Sequence, residues 1–93
     1  MPDCRIRIAS PLRSYTGGAA ELTAPASAKG TSLRTVLAEL DARYPGIRFR
    51  MIDEQDSIRP HIRLFVNGNE ALQLDAVVTP GSTVHLICAL SGG

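Results

Sequence analysis

Apolar and polar residues alternate in three stretches of the 93-residue chain. In residues 3–9, Cys4, Ile6 and Ile8 alternate with arginines, and this period of two predicts a strand with one buried face. Residues 61–66 and 83–90 alternate in the same way and predict two more strands. Gly17-Gly18 breaks the chain after the first strand, so residues 19–24 can return as a second, antiparallel strand.

A single stretch has the period of a helix. Between residues 32 and 47 the apolar positions lie on one helical face, and they are Leu33, Val36, Leu37, Leu40 and Tyr44. Ser32 is placed to cap the first turn, and Pro45-Gly46 ends the helix. Residues 47–57 have no clean period and are predicted to form a loop with a short turn of helix.

The remaining turns complete the order of elements. Asn67-Gly68 indicates a hairpin between the strand at 61–66 and a short strand near Ala71 to Leu74, and Pro80-Gly81 precedes the last strand. The predicted order is therefore β-β-α-β-β-β. One helix with an apolar face needs a sheet to cover it, and the first and last strands can lie side by side in the centre of that sheet.

We therefore predict an α+β fold of the ubiquitin-like β-grasp type, with a mixed sheet of four to five strands packed on one main helix. The β-grasp domain is expected to span residues 1–89, and residues 90–93 are expected to form a flexible C-terminal tail.

Composition excludes several classes of function. Ten basic and nine acidic residues give a formal charge of +1, and the arginines are dispersed, so nothing indicates a nucleic-acid partner. The first residues lack the layout of a signal peptide, and no apolar run approaches the length needed to span a membrane, which predicts a cytoplasmic protein. Cys4 and Cys88 are expected to be free, buried thiols, although a disulfide between the two end strands is possible.

The sequence offers little chemistry of its own. It has no glycine-rich phosphate loop, and His61 and His85 lack the neighbours of a metal site, so we expect no bound cofactor or metal. Asp53, Glu54 and Asp56 form an acidic cluster that is expected to be solvated. A group of arginines either complements an acidic partner or forms a solvated face, which is the simpler interpretation; its members are Arg48, Arg50, Arg59 and Arg63.

The chain ends ICALSGG. Two terminal glycines have wide access to φ and ψ and no Cβ, which suits a segment that must enter a narrow channel. A frayed, solvated terminus is the alternative interpretation.

Several motifs in this order resemble the MoaD/ThiS family of small sulfur carriers: LRTVLAELDARYPGI, FVNGNEA, TPGSTVHLI and the terminal Gly92-Gly93. Within that family, LRSYTGG and YPGI are most similar to the carrier of thiocarboxylate-dependent cysteine biosynthesis. The resemblance implies a protein co-substrate and not an enzyme. A ubiquitin-activating-type adenylating enzyme would use ATP to adenylate the carboxyl group of Gly93, with Gly92 as the flexible link. A sulfur source would then form a thiocarboxylate, and a downstream sulfur-inserting synthase would use it.

Such partners must also recognise the folded body. Phe65 and Ile87 point away from the predicted core, and with Leu90 and Ser91 they form the candidate partner-binding surface of a carrier that is expected to be monomeric when free. Two other classes remain open. One is a ubiquitin-like modifier that is conjugated to lysines through the same glycine, and the other is a β-grasp binding module with an inert tail. The sequence does not indicate which product receives the sulfur.

Overall fold

The structure is a computed structural model that describes residues 2–88. Its strands are β1 (Asp3–Ile8), β2 (Glu21–Pro25), β3 (Thr31–Ser32), β4 (Ile62–Val66), β5 (Asn69–Ala71), β6 (Val77–Val78) and β7 (Thr83–Cys88). The helices are α1 (Leu33–Arg43) and α2 (Ile47–Met51), and a 3-10 turn spans Ser10–Leu12. The predicted tail, residues 90–93, lies outside the described residues.

Five strands form one mixed sheet in the order β2-β1-β7-β4-β5. β1 and β7 are parallel neighbours at its centre, with Ile6 paired to Val84, and the other neighbours are antiparallel. This topology confirms the predicted β-grasp, with the first and last strands adjacent. β7 therefore ends at the middle of the sheet.

Helix α1 begins and ends where the sequence predicts. The Ser32 side chain accepts the N–H of Thr35 and so caps the first turn. The first two helical N–H groups, of Leu33 and Arg34, donate to the carbonyl oxygens of Ala76 and Leu74. These hydrogen bonds attach the start of α1 to the segment between β5 and β7. The antiparallel pairing of β3, just before α1, with β6 adds to the same attachment.

The core lies between α1 and one face of the sheet. The inward positions of β1, β4 and β7 meet the apolar stripe of α1, and all are essentially inaccessible to solvent. The largest of these side chains are Ile6, Leu33, Leu37, Leu40, Leu64 and Leu86. Because alternate strand residues point to opposite faces, this packing leaves the other face of the sheet free of core contacts.

The short strand after the Asn67-Gly68 turn differs from its predicted position. It spans Asn69–Ala71 and not residues 71–74. Asn67 and Gly68 both have positive φ, 52° and 84°, so the two-residue turn pairs Asn69 with Val66 at once. After Ala71 the chain leaves the sheet to reach the start of α1, and this long-range hydrogen bonding is invisible to a local pattern.

The predicted short helical turn after Pro45-Gly46 is α2. Ile47 and Met51 are buried one turn apart, while Phe49 between them is exposed. Asp41 fixes the connection from α1, because its Oδ1 accepts the N–H groups of Gly46 and Arg48, both at 3.1 Å.

Candidate functional site

The face of the sheet opposite α1 carries the predicted partner-binding residues of the folded body. Alternate residues of the three middle strands point to this side, which we call the open face. They are Arg5, Arg7, Arg63, Phe65, His85 and Ile87, and each is exposed or half-buried.

Phe65 and Ile87 occupy the apolar centre of the open face. In the β4–β7 register Phe65 is opposite His85, and Ile87 is opposite Arg63. Phe65 and Ile87 are thus diagonal neighbours, a separation that an aromatic side chain can span. Ile87 is 37% exposed and Phe65 is half-buried. Leu90 and Ser91, predicted to extend this surface, lie outside the described residues.

Ion pairs flank this apolar centre. The carboxylate of Glu21 on β2 accepts a hydrogen bond from the Arg7 guanidinium group at 3.2 Å and lies 3.6 Å from that of Arg5. On the other side, the carboxylate of Glu70 on β5 pairs with the Arg63 guanidinium group at 3.1 Å. These exposed pairs contribute little to the free energy of unfolding. Their effect is to give the open face a polar rim around an apolar centre, the usual anatomy of a protein interface.

Comparison with known proteins decides the family. The model of the ThiS family matches residues 6–93, nearly the whole chain. The chain belongs to the ThiS family. Neither helix of this ThiS-family protein, within residues 2–88, has the length and apolar character needed to cross a membrane.

Individual relatives agree with this assignment. The sulfur carrier protein CysO of Mycobacterium tuberculosis is 29% identical to this ThiS-family protein, over 95% of this chain and 96% of its own. A chain of the crystal structure of the Amycolatopsis orientalis BexX/CysO complex superposes with a TM-score of 0.81 at 27% identity, covering 97% of this chain and 99% of its own. Small archaeal modifier protein 3 of Haloferax volcanii is 33% identical over 61 residues, which cover 62% of this chain and 65% of that protein.

Glu54 and Asp56 of the acidic cluster are exposed, as predicted, but Asp53 and Asp56 also make hydrogen bonds within the fold of this ThiS-family protein. Asp53 Oδ1 accepts the N–H groups of Gln55 and Ser57 and so shapes the loop after α2. The Asp56 carboxylate accepts hydrogen bonds from the guanidinium groups of Arg48 and Arg34, with N–O distances of 2.8 Å and 2.7 Å. These hydrogen bonds lower the pKa of the Asp56 carboxyl group. The Asp56 ion pairs therefore join the loop to both helices.

The two thiols are free. Cys4 is buried and Cys88 is half-buried, and burial raises the pKa of both. A thiol with a raised pKa is mostly protonated at neutral pH and is a weak nucleophile. Within residues 2–88, no group of three or more His, Cys, Asp or Glu side chains is arranged to hold a metal ion.

The four arginines that the sequence groups together lie in three places, and two of them, Arg50 and Arg59, line one cleft. Arg48 pairs with Asp56 and Arg63 with Glu70 on the open face. Arg59 instead lies over the ring of Phe49, with its guanidinium carbon 4.5 Å from the ring centroid.

Phe49 is a surface feature that the sequence analysis did not single out. Its side chain is 55% exposed, more than that of Ile87. The signal was present in the pattern, because burial of Ile47 and Met51 on a helix directs the residue midway between them outward. It was missed because residues 47–57 were interpreted as largely loop.

Proposed function

We propose that this protein is a sulfur carrier whose reactive group is the carboxyl group of Gly93. The carboxylate attacks the α-phosphate of ATP in a ubiquitin-activating-type adenylating enzyme, which releases pyrophosphate and leaves an acyl adenylate. Sulfide from a sulfur source then attacks the acyl carbon and displaces AMP. The resulting thiocarboxylate donates its sulfur to a biosynthetic enzyme, with cysteine or secondary-metabolite biosynthesis favoured as its destination.

The family match that extends through Gly92 and Gly93 is the observation that carries this proposal. The chemistry of adenylation also fits glycine at positions 92 and 93. A side chain at position 93 would crowd the attacked carbonyl carbon, and a Cβ at position 92 would restrict the backbone in a narrow channel. The similarity to sulfur carrier proteins named CysO, over nearly the whole chain, supports the same activity.

The open face is the proposed docking surface of the folded body. An enzyme that takes a short peptide segment into its active site gains affinity from contacts outside it, and Phe65 with Ile87 provides an apolar centre for those contacts. Leu90 and Ser91 are proposed to continue the surface toward Gly93. In this account the chain is a cytoplasmic co-substrate and a monomer when free. It binds no cofactor of its own, and the adenylating enzyme binds the ATP.

The adenylation step is tested by ATP–pyrophosphate exchange with the ubiquitin-activating-type adenylating enzyme of the same organism. Wild-type protein should support exchange, and a variant lacking Gly93 should not, although circular dichroism shows it folded. Exchange that is equally fast without Gly93 would contradict the proposal.

A ubiquitin-like modifier is the second candidate, and the similarity to small archaeal modifier protein 3 favours it. In that case a lysine amine and not sulfide attacks the activated Gly93. Isopeptide conjugates in cells would then be cleaved by proteases to leave a remnant that ends at Gly93. Self-linked chains through lysine could use only Lys29, the single lysine of the sequence.

A further inference from the structure

A cleft of about 320 Å³ opens near the end of β7. Its lining residues are Tyr15, Gly46, Phe49, Arg50, Arg59 and His61. His61 directly precedes β4, whose first residue, Ile62, is paired with Cys88 at the end of β7. The charge of Arg50 also acts on the pKa of Cys88, opposing the effect of burial. The cleft therefore lies at the end of the sheet from which the chain continues toward Gly93.

The charge of this cleft is basic. Two arginines and a histidine line it, and within residues 2–88 its lining includes no carboxylate. The guanidinium group of Arg50 makes no hydrogen bond or salt bridge to any described residue from 2 to 88, in contrast to Arg48 and Arg63. The positive charge is thus not compensated by the described part of the fold.

An aromatic side chain adds apolar area to the same place. Arg59 lies 4.5 Å over the Phe49 ring, and its Nε donates to the Phe49 carbonyl oxygen at 2.8 Å. One guanidinium group is thereby held over an exposed ring, with its other N–H groups free of described partners. Arginine and aromatic side chains, phenylalanine included, are enriched at protein interfaces.

The cleft is fixed by backbone geometry. Gly46 has φ of +99°, and a Cβ there would lie 3.3 Å from Cε1 of Tyr15. Asp41 holds the same turn by accepting the Gly46 N–H. A preformed surface loses less conformational entropy when it binds a partner.

We propose that this cleft receives an acidic segment of the adenylating enzyme and so anchors that enzyme beside the end of β7. This inference rests on the proposed function. Carboxylates of the enzyme would pair with Arg50 and Arg59 while an apolar group packs on Phe49. The cleft adds an electrostatic contact to the apolar contact on the open face, and charged contacts of this kind raise association rates and set orientation.

Charge reversal at Arg50 tests the assignment. Arg50 is suited to substitution because its side chain has no described partner to lose. The matched control is Lys29→Glu, which makes the same change of charge at an exposed residue. Lys29 lies in the turn after β2, near the start of β1, where Ala26 N–H donates to the Pro2 carbonyl oxygen. This is the opposite end of the sheet from the cleft.

The measurement is the Kd of the wild-type protein and both variants for the adenylating enzyme. It is made at ionic strengths of about 0.1 M and about 1 M, between which the Debye length falls from ~10 Å to ~3 Å. Arg50→Glu should raise Kd about tenfold or more at the lower ionic strength and much less at the higher one, since exposed charges are then screened. Lys29→Glu should leave Kd within about twofold of wild type.

The possible outcomes distinguish failure of the cleft assignment from failure of the proposed function. Equal affinity of Arg50→Glu and wild type overturns the cleft assignment alone, as does an equal loss for Lys29→Glu, which would indicate only a general effect of net charge. Absence of binding by the wild-type protein overturns the proposed function and this inference with it. A loss confined to Arg50→Glu and sensitive to salt supports both.

Discussion

Truncation of Ile87 to alanine should weaken binding to the adenylating enzyme by at most about sevenfold, if the open face is the docking surface. Ile87 is 37% exposed in the free protein, and complete burial of such a side chain contributes about 1.5–3 kcal/mol. The exposed fraction therefore offers about 0.6–1.1 kcal/mol to a partner that covers it. Alanine keeps the β-carbon, so this range is an upper limit.

The rest of the Ile87 side chain is already buried against its neighbours on the sheet. Truncation should therefore also lower the free energy of unfolding, by about 1–2 kcal/mol on the same scale. Urea denaturation measures this loss and shows whether the variant remains folded. Isothermal titration calorimetry with the adenylating enzyme then gives Kd for the folded protein.

Two companion variants sharpen the test. Ile87→Asp should weaken binding more than Ile87→Ala, because a carboxylate must be desolvated at the apolar centre of the interface. Val77→Ala removes apolar side-chain area at a residue that is 64% exposed, and Val77 lies on β6 in the separate β3–β6 pair, so Kd should not change. Unchanged Kd for folded Ile87→Asp, or an equal loss for Val77→Ala, would refute the assignment of the open face.

Three predictions concern the fold. Leu37→Ala should cost about 2–5 kcal/mol in urea denaturation, because the side chain is fully buried under the sheet; a loss below 1 kcal/mol would contradict this core. Asn67→Ala should cost about 0.5–1.5 kcal/mol, since Asn67 Oδ1 accepts the Thr83 N–H at 2.9 Å; Asn67→Asp, which keeps this acceptor, should cost less. Because its ion pairs lower the pKa of Asp56, the ionised carboxylate adds to the free energy of unfolding. This contribution is complete above the ordinary pKa of aspartate and is lost as the pH falls through the lowered pKa. Asp56→Asn should thus flatten the acid side of the stability profile, and an unchanged profile would argue against the Arg48 and Arg34 contacts.

The local sequence pattern was sufficient to predict the elements that have a clear hydrophobic period or a recognisable turn or cap residue. The alternation around Ile6 and Ile8 predicts β1, Ser32 predicts the start of α1, and Asn67-Gly68 predicts the hairpin. The end of β5 and the two-residue strands β3 and β6 were beyond reach, because they depend on hydrogen bonds between distant segments. The Leu33 N–H to the Ala76 carbonyl oxygen is such a bond.

The candidate site likewise has one part that the sequence predicts and one part that it does not. Alternation alone placed Phe65 and Ile87 on one face, and the β4–β7 register makes them diagonal neighbours. The cleft could not be predicted, because Tyr15, Phe49 and Arg59 come from three separate segments. Sequence proximity also grouped Arg48 with Arg50, although the fold pairs one with Asp56 and directs the other to the cleft.

The most direct test of the sulfur-carrier proposal is the intact mass of the protein after incubation with the adenylating enzyme, ATP and sulfide. We expect a gain that corresponds to one oxygen replaced by one sulfur, and no gain for the variant that lacks Gly93. An unchanged mass of the wild-type protein, with an enzyme that catalyses ATP–pyrophosphate exchange on it, would contradict the formation of a thiocarboxylate and favour a modifier.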